Sequence, residues 1–390
     1  MSDNNNKRNN DSNEENPNRK RIKFVRYDSF DDFLKSILNE EISKLPPQKN
    51  PQLISDDSDS DSESNSESES ESEKEYEHID RKVNKLQDLI DLGKMYDPKK
   101  RYNIDMKTLN KLVNPLEELH KMIGMTSVKE NIVDHIIFYL QKLDNDGLND
   151  MLHTVIQGPP GVGKTELGKI LSKIYLGMGI LKNDKFRVAK RADLIGKYLG
   201  HTAVQTQKVI DSCKGGVLFI DEAYSLGNPE GRDMFSKECL DTINQNLTEN
   251  KSQFLCIIAG YKESLDSCFF SYNEGLSRRF SIRYTIEPYI GKELKEIFIK
   301  IVKQNNWEIT DDIDSNFFEK NIASFKFYGG DMETLFFCTK VVHARRVFCM
   351  DNDKKKVITN EDIINAYEIY KKNRGEKNEN RNEAWRNLYI

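Results

Sequence analysis

The sequence has no Cys-x-x-Cys pair, and none of its six cysteines (Cys213, Cys239, Cys256, Cys268, Cys338, Cys349) stands at a zinc-type spacing from a histidine. That removes a disulfide framework and a structural zinc from the candidate scaffolds. Several of these cysteines lie in apolar runs, so reduced, buried thiols in a cytosolic or nuclear compartment are expected. No run approaches the ~20 apolar residues of a membrane span. The chain opens on Asn, Asp, Lys and Arg rather than an apolar leader, and a soluble intracellular protein without a membrane partner is the expectation. A basic excess is also missing. The net charge is −5, but nine acids and no bases fall between Asp56 and Glu73, which leaves the rest of the chain at only +4. That surplus is small and scattered, and supplies no stripe for nucleic acid.

What is present divides the 390 residues into segments of different composition. Residues 1–78 are mostly Asn, Asp, Glu, Ser and Lys, too poor in large apolar side chains to offset the entropy of ordering, and read as a disordered arm. Within it, Phe30, Phe33, Leu34, Ile37, Leu38, Ile42 and Leu45 share one helical face. Ser29 and Asp32 can cap the start and Pro46-Pro47 ends it, so the pattern predicts an amphipathic helix over 29–45 that docks on its own domain or on a partner. Ser55 to Glu73 alternates hydroxyl and carboxylate, which keeps it extended and offers phosphorylation sites. Arg19-Lys20-Arg21-Ile22-Lys23 has the form of a short nuclear-import signal. Apolar residues at three- and four-residue steps predict a helical linker over 79–113, with further helix leading into the core and Pro98 and Pro115 as breaks. Residues 114–287 alternate strand and helix, 288–373 are helical, and 374–390 form a polar tail. That order predicts an α/β fold: a parallel sheet covered by helices, followed by a small helical lid.

The chemistry is concentrated in Gly158-Pro159-Pro160-Gly161-Val162-Gly163-Lys164-Thr165, with Glu166 next. The buried-strand pattern His153 to Gln157 precedes this loop, and a helical run with Leu167, Ile170, Leu171 and Ile174 follows it. Glycines let successive N–H groups point into one concavity at a helix N-terminus, where the dipole favours an anion. Lys164 would reach the β- and γ-phosphates of a nucleoside triphosphate, and the Thr165 hydroxyl would ligate Mg²⁺. Gly216-Val217-Leu218-Phe219-Ile220-Asp221-Glu222 is an apolar strand ending in two carboxylates, where a buried parallel strand meets a ligand. Asp221 would hold Mg²⁺ through its water shell, and Glu222 would orient or deprotonate the attacking water. A third strand, Phe254 to Ala259, leads to Gly260-Tyr261. Gly275-Leu276-Ser277-Arg278-Arg279-Phe280 then offers two adjacent arginines, either of which could project into a neighbour's site.

In this order the pieces resemble the AAA+ ATPases, and more narrowly the CbxX/CfqX (CfxQ-like) family, which includes the red-type Rubisco activases and the stage V sporulation protein K group. The resemblance runs from about Ile123 to Arg346. It is carried by Ile123-Gly124-Met125 with Val128-Lys129, the phosphate loop, Gly200-His201-Thr202-Ala203, Asp221-Glu222-Ala223-Tyr224, Ala259-Gly260-Tyr261 and Gly275 to Phe280. It implies that the nucleotide is ATP, bordered by Ile123 and Gly124, and that Lys164, Glu222 and Arg279 carry hydrolysis, with Arg279 as the finger acting in trans. It further implies a homo-oligomeric ring, usually a hexamer, with ATP at subunit interfaces. Tyr198-Leu199-Gly200 would then form a pore loop that grips a protein substrate. The Asn-, Lys- and Ile-rich style is similar to that of giant-virus or AT-rich protist members.

At the lid the chain departs from the family pattern. Where the family carries Gly-Asn-Ala-Arg, this sequence has Gly330-Asp331-Met332-Glu333, and Glu333 beside a triphosphate would repel it. Either the register differs or another base substitutes, and Arg345 and Arg346 lie far along the helix. A protein-remodelling motor is the first reading. A nucleic-acid-associated loader and a nucleotide-gated scaffold with weak hydrolysis are the alternatives.

Overall fold

Three strands of the central sheet are buried along their whole length because both of their faces are covered. In the computed structural model, which describes residues 74–142, 152–198, 200–227, 233–251, 253–310, 313–349 and 355–374, every residue of these three strands is buried. The 29–45 helix, the acidic run, the basic cluster at 19–23, Leu199 and the tail beyond Arg374 lie outside the described residues.

In chain order the elements begin with β1 (Glu75–Glu77), α1 (Leu86–Lys94), β2 (Lys100–Tyr102), α2 (Met106–His120) and α3 (Thr126–Leu140). The α/β part continues with β3 (Thr154–Gln157), α4 (Lys164–Gly177), β4 (Phe186–Ala189), α5 (Arg191–Leu194), α6 (His201–Ser212), β5 (Val217–Ile220), α7 (Met234–Glu249), β6 (Leu255–Gly260), α8 (Glu274–Arg279) and β7 (Ile282–Thr285). Five strands form one parallel sheet in the order β4-β5-β6-β3-β7. The edge strands β4 and β7 are only partly buried, and each carries an arginine (Arg187, Arg283) that the three inner strands do without.

Side chains alternate between the two faces with the period of the pleat. Val217, Phe219, Leu255, Ile257 and Ala259 join one core with α2, α3 and α4. Leu218, Ile220, Cys256 and Ile258 join a second with α6 and α7. Helix α4 lies close on the sheet at Gly168, where a Cβ would stand 2.5 Å from the Phe219 ring, so glycine sets how near the helix carrying Lys164 and Thr165 approaches β5.

Beyond β7 the chain forms α9 (Gly291–Gln304), β8 (Glu308–Ile309), α10 (Ser315–Lys320), α11 (Gly329–Arg346), β9 (Val357–Ile358) and α12 (Asn360–Asn373). This lid is helical, as expected, except that β8 and β9 pair in parallel. Phe298, Phe318, Phe325, Met332 and Tyr370 fill its interior. Thr359 and Asp362 form a capping box at the start of α12. Asp362 also accepts from Arg346 (2.8 and 3.0 Å) and lies 3.0 Å from His343. Burial pushes its carboxyl up, but these hydrogen bonds outweigh burial and hold it well below the usual carboxylate range.

Two expectations fail. The linker over 79–113 is not helical throughout, because Lys100–Tyr102 is the strand β2, paired in parallel with β1 inside the 1–78 arm. Pro115 does not break the helical run but sits inside α2, buried. Its missing N–H forfeits one hydrogen bond to the carbonyl four residues earlier. Leu109, Leu112, Leu116 and Leu119 on the same helix are all buried, and that packing carries the helix through the proline.

Candidate active site

The phosphate loop occupies the turn between β3 and α4, at the C-terminal edge of the sheet. Gly161 (φ +73°) and Gly163 (φ +89°) take backbone conformations that L side chains avoid. The Gly158 N–H donates to the Gly260 carbonyl (3.2 Å), tying the loop to the end of β6. Lys164 Nζ donates to the carbonyls of Gly158 (3.0 Å) and Pro159 (2.7 Å) and lies 5.1 Å from the centroid of the Tyr261 ring. Burial lowers the Lys164 pKa, offset in part by Asp221 and Glu222. The ammonium is therefore folded back over the loop. Glu166 faces outward on the first turn of α4, paired with Lys169 at 3.2 Å.

The sheet brings the second expected half of the site to the first. Thr165 Oγ1 lies 3.4 Å from Asp221 Oδ2, although the two are 56 residues apart. Two oxygens at this separation suit a small hard cation that keeps most of its waters, as Mg²⁺ does, so the residues present fit that ion. Glu222 follows in the left-handed region (φ +52°), and its N–H donates to Asp221 Oδ1 (3.0 Å). A non-glycine residue there is strained by about 1–3 kcal/mol, and such strain gathers where geometry serves a purpose.

Behind this turn is a residue that the sequence reading missed. Arg191, at the start of α5, donates to the Ser225 carbonyl (2.6 Å), Ser236 Oγ (2.8 Å) and Asp233 Oδ2 (2.6 Å). It thus holds the turn that begins at Glu222 against α7. Asp233 is drawn down to about 2 by its hydrogen bonds from Ser236 and Arg191, against the opposing effect of burial. No periodicity marks Arg191 in the sequence, because its partners come from two other elements. Tyr224 and Tyr261 stack with ring centroids 5.3 Å apart, closing the floor between β5 and β6.

The remaining expected residues fall around this centre. Ile123 is half-buried, and Gly124 and Met125 both have positive φ. A Cβ on Gly163 would lie 3.4 Å from Met122 Cε and 3.6 Å from Met125 Cε, which sets this turn beside the phosphate loop. Arg279 bonds within its own chain, to Thr248 Oγ1 (2.6 Å) and the Gly275 carbonyl (2.7 Å), whereas Arg278 is exposed. Tyr198 is 68% exposed, on the segment between α5 and α6, with Gly200 (φ +81°) two residues on. Glu333 is exposed, and the acid that α11 buries is Asp331. Among the described residues no helix is long and apolar enough to cross a membrane.

Residues 154–287 match the model of the ATPase family associated with various cellular activities (AAA). Over 302 residues the chain is 44% identical to the cfxQ-like protein R730 of Acanthamoeba polyphaga mimivirus, covering 76% of this chain and 74% of that one. It is 36% identical to stage V sporulation protein K of Bacillus subtilis, covering 50% of this chain and 61% of that protein, less than two thirds of its length. Among solved structures, the FIGL-1 AAA domain in complex with ADP aligns at 18% identity with a TM-score of 0.47, over 64% of this chain and 83% of that one.

Proposed function

Because the chain belongs to the CfxQ-like AAA ATPases, we propose that it is a Mg²⁺-dependent ATP-hydrolysing motor that assembles as a ring and remodels a protein substrate. The observation that carries the hydrolytic part is the convergence of Thr165 and Asp221 beside Lys164, with Glu222 on the adjoining turn. Lys164, freed from the Gly158 and Pro159 carbonyls, binds the β- and γ-phosphates, and the amides of the loop cradle them. Thr165 and Asp221 hold Mg²⁺, which supplies charge neutralisation at the phosphates. Glu222 orients the attacking water, and Arg191 keeps the Glu222 turn in place. Ile123 and Gly124 border the nucleotide. Arg279 of one subunit serves the site of the next, and Tyr198, with Leu199 and Gly200, grips the polypeptide.

The test is Glu222→Gln, which keeps the side chain's size but removes the base. ATP affinity measured by equilibrium binding should stay within a few-fold of wild type, while turnover falls by about 100-fold or more. Lys164→Ala in parallel should lose binding altogether. Wild-type turnover in Glu222→Gln would refute the assignment.

A further inference from the structure

The outward side of the phosphate loop is capped by donors from the lid. The Gly329 N–H donates to the Gly161 carbonyl (3.1 Å), and the Tyr289 hydroxyl donates to the Val162 carbonyl (3.0 Å). In a trans peptide the C=O and the next residue's N–H point in opposite directions, and no peptide here is cis. Holding the Gly161 carbonyl toward the lid therefore turns the Val162 N–H away from it. Holding the Val162 carbonyl does the same for the Gly163 N–H. These are two of the amides that a phosphate-binding loop presents to its anion.

The contact is close and locally strained. A Cβ on Gly161 would stand 2.0 Å from the Phe327 carbonyl, so only glycine lets the lid turn seat there. Within that turn Tyr328 has φ +41° and ψ −104°, a conformation that survives only where its surroundings enforce it. Asp331, 1% exposed, supplies part of that enforcement: its Oδ2 accepts the Phe327 N–H at 2.7 Å, and its Oδ1 is bound by Arg374. The Arg374 guanidinium also lies over the rings of Phe327 (5.1 Å) and Tyr370 (4.9 Å). The ends of α11 and α12 are thereby fastened to one strained turn. Burial, with Glu293 nearby, pushes the Tyr289 phenol up to about 12, so it remains a donor across the physiological range.

We propose that Tyr289 and the Asp331–Arg374 pair are positioning residues for phosphate binding, presetting the Val162 and Gly163 amides through the loop's outward carbonyls. The inference rests on the nucleotide-site reading above and adds what orients the loop in a chain without the family's lid arginine.

The test is the affinity of the full chain for a fluorescent ADP analogue, with steady-state ATPase kinetics alongside, in Tyr289→Phe, Arg374→Met and Arg374→Lys. Tyr289→Phe removes one hydroxyl from a residue that otherwise stays packed. Its dissociation constant should rise about five- to tenfold, the worth of one lost hydrogen bond that leaves a carbonyl unpaired. The loss should fall on KM rather than on kcat. Arg374→Met should weaken ADP at least as much, and Arg374→Lys, which keeps the charge beside Asp331, should recover most of the loss. A wild-type dissociation constant in Tyr289→Phe overturns the inference, as does a loss confined to kcat. If Arg374→Met failed to fold, Tyr289→Phe alone would still decide. A wild-type chain that bound no ADP would overturn the underlying site reading instead, and the inference with it.

Discussion

His153 should make the stability of this protein depend on pH between about 6.5 and 4. The residue precedes β3, is 1% exposed and lies between the rings of Phe254 and Phe280, with centroids 5.9 and 6.0 Å away. Its Nδ1 accepts the Cys256 N–H (3.1 Å), which leaves Nε2 to carry the proton and donate to the Leu247 carbonyl (3.3 Å). A neutral imidazole satisfies both contacts, and a second proton would face an existing donor at a position closed off from solvent. Burial accordingly lowers the pKa from 6.5 to about 4. The unfolded chain takes up the proton first, so the stabilisation is fully present above pH ~6.5 and is lost as the pH falls toward 4. At ~1.4 kcal/mol per pKa unit the whole span is worth about 3 kcal/mol, of which about 2 kcal/mol is gone by pH 5. The measurement is urea unfolding at several pH values for wild type and His153→Asn. Asparagine keeps an acceptor for the Cys256 amide but does not titrate. The variant should be less stable at pH 7.5 and lose less as the pH falls. Parallel pH dependences for the two proteins between pH 7 and 5 would refute the reasoning.

Two further outcomes follow from the arrangement of the site. Tyr198→Ala should keep ATP turnover within about twofold, since the ring lies outside the phosphate site, but lose stimulation by a permanently unfolded casein-type polypeptide; unchanged stimulation would end the pore reading. Arg279→Ala should cut kcat by about 1000-fold with ADP affinity nearly intact, the signature of charge stabilisation in trans. If that loss appeared in Arg278→Ala instead, the exposed arginine would take over the role.

The sheet, and the meeting of Lys164, Thr165 and Asp221 at its edge, were legible in the sequence because their signals are local. Val217 to Ile220 and Leu255 to Ala259 are apolar without alternation, as suits strands covered on both faces, and the first runs straight into two carboxylates. The phosphate loop is legible because its glycines answer a backbone demand met within eight residues. Pro115 misled because a proline signals a break only where packing does not override it, and the buried leucines of α2 do. Arg191 and Arg374 were invisible for another reason. Each acts on partners tens of residues away, Arg191 on Asp233 and Ser225, Arg374 on Asp331, and no spacing rule links a cation to an acid in another element.

The lid sequence Gly330-Asp331-Met332-Glu333 raised the question of an acid beside a triphosphate, and its two carboxylates are placed differently. Glu333 is exposed in the first part of α11, where a negative charge is favourable near the helix N-terminus. Asp331 is buried, but its charge is matched by Arg374 and its second oxygen is occupied by the Phe327 amide. What the lid sets directly against the phosphate loop is therefore a backbone N–H, a carbonyl and a phenol, none of them charged. A lid arginine would read the charge of the terminal phosphate directly, through charge-assisted hydrogen bonds to its oxygens. Uncharged groups in hydrogen-bond contact with the loop respond instead to the positions of its peptide planes. On this geometry, lid and nucleotide are coupled through the shape of the loop they share, and the coupling should weaken little with added salt, because hydrogen bonds at contact are screened far less than separated charges.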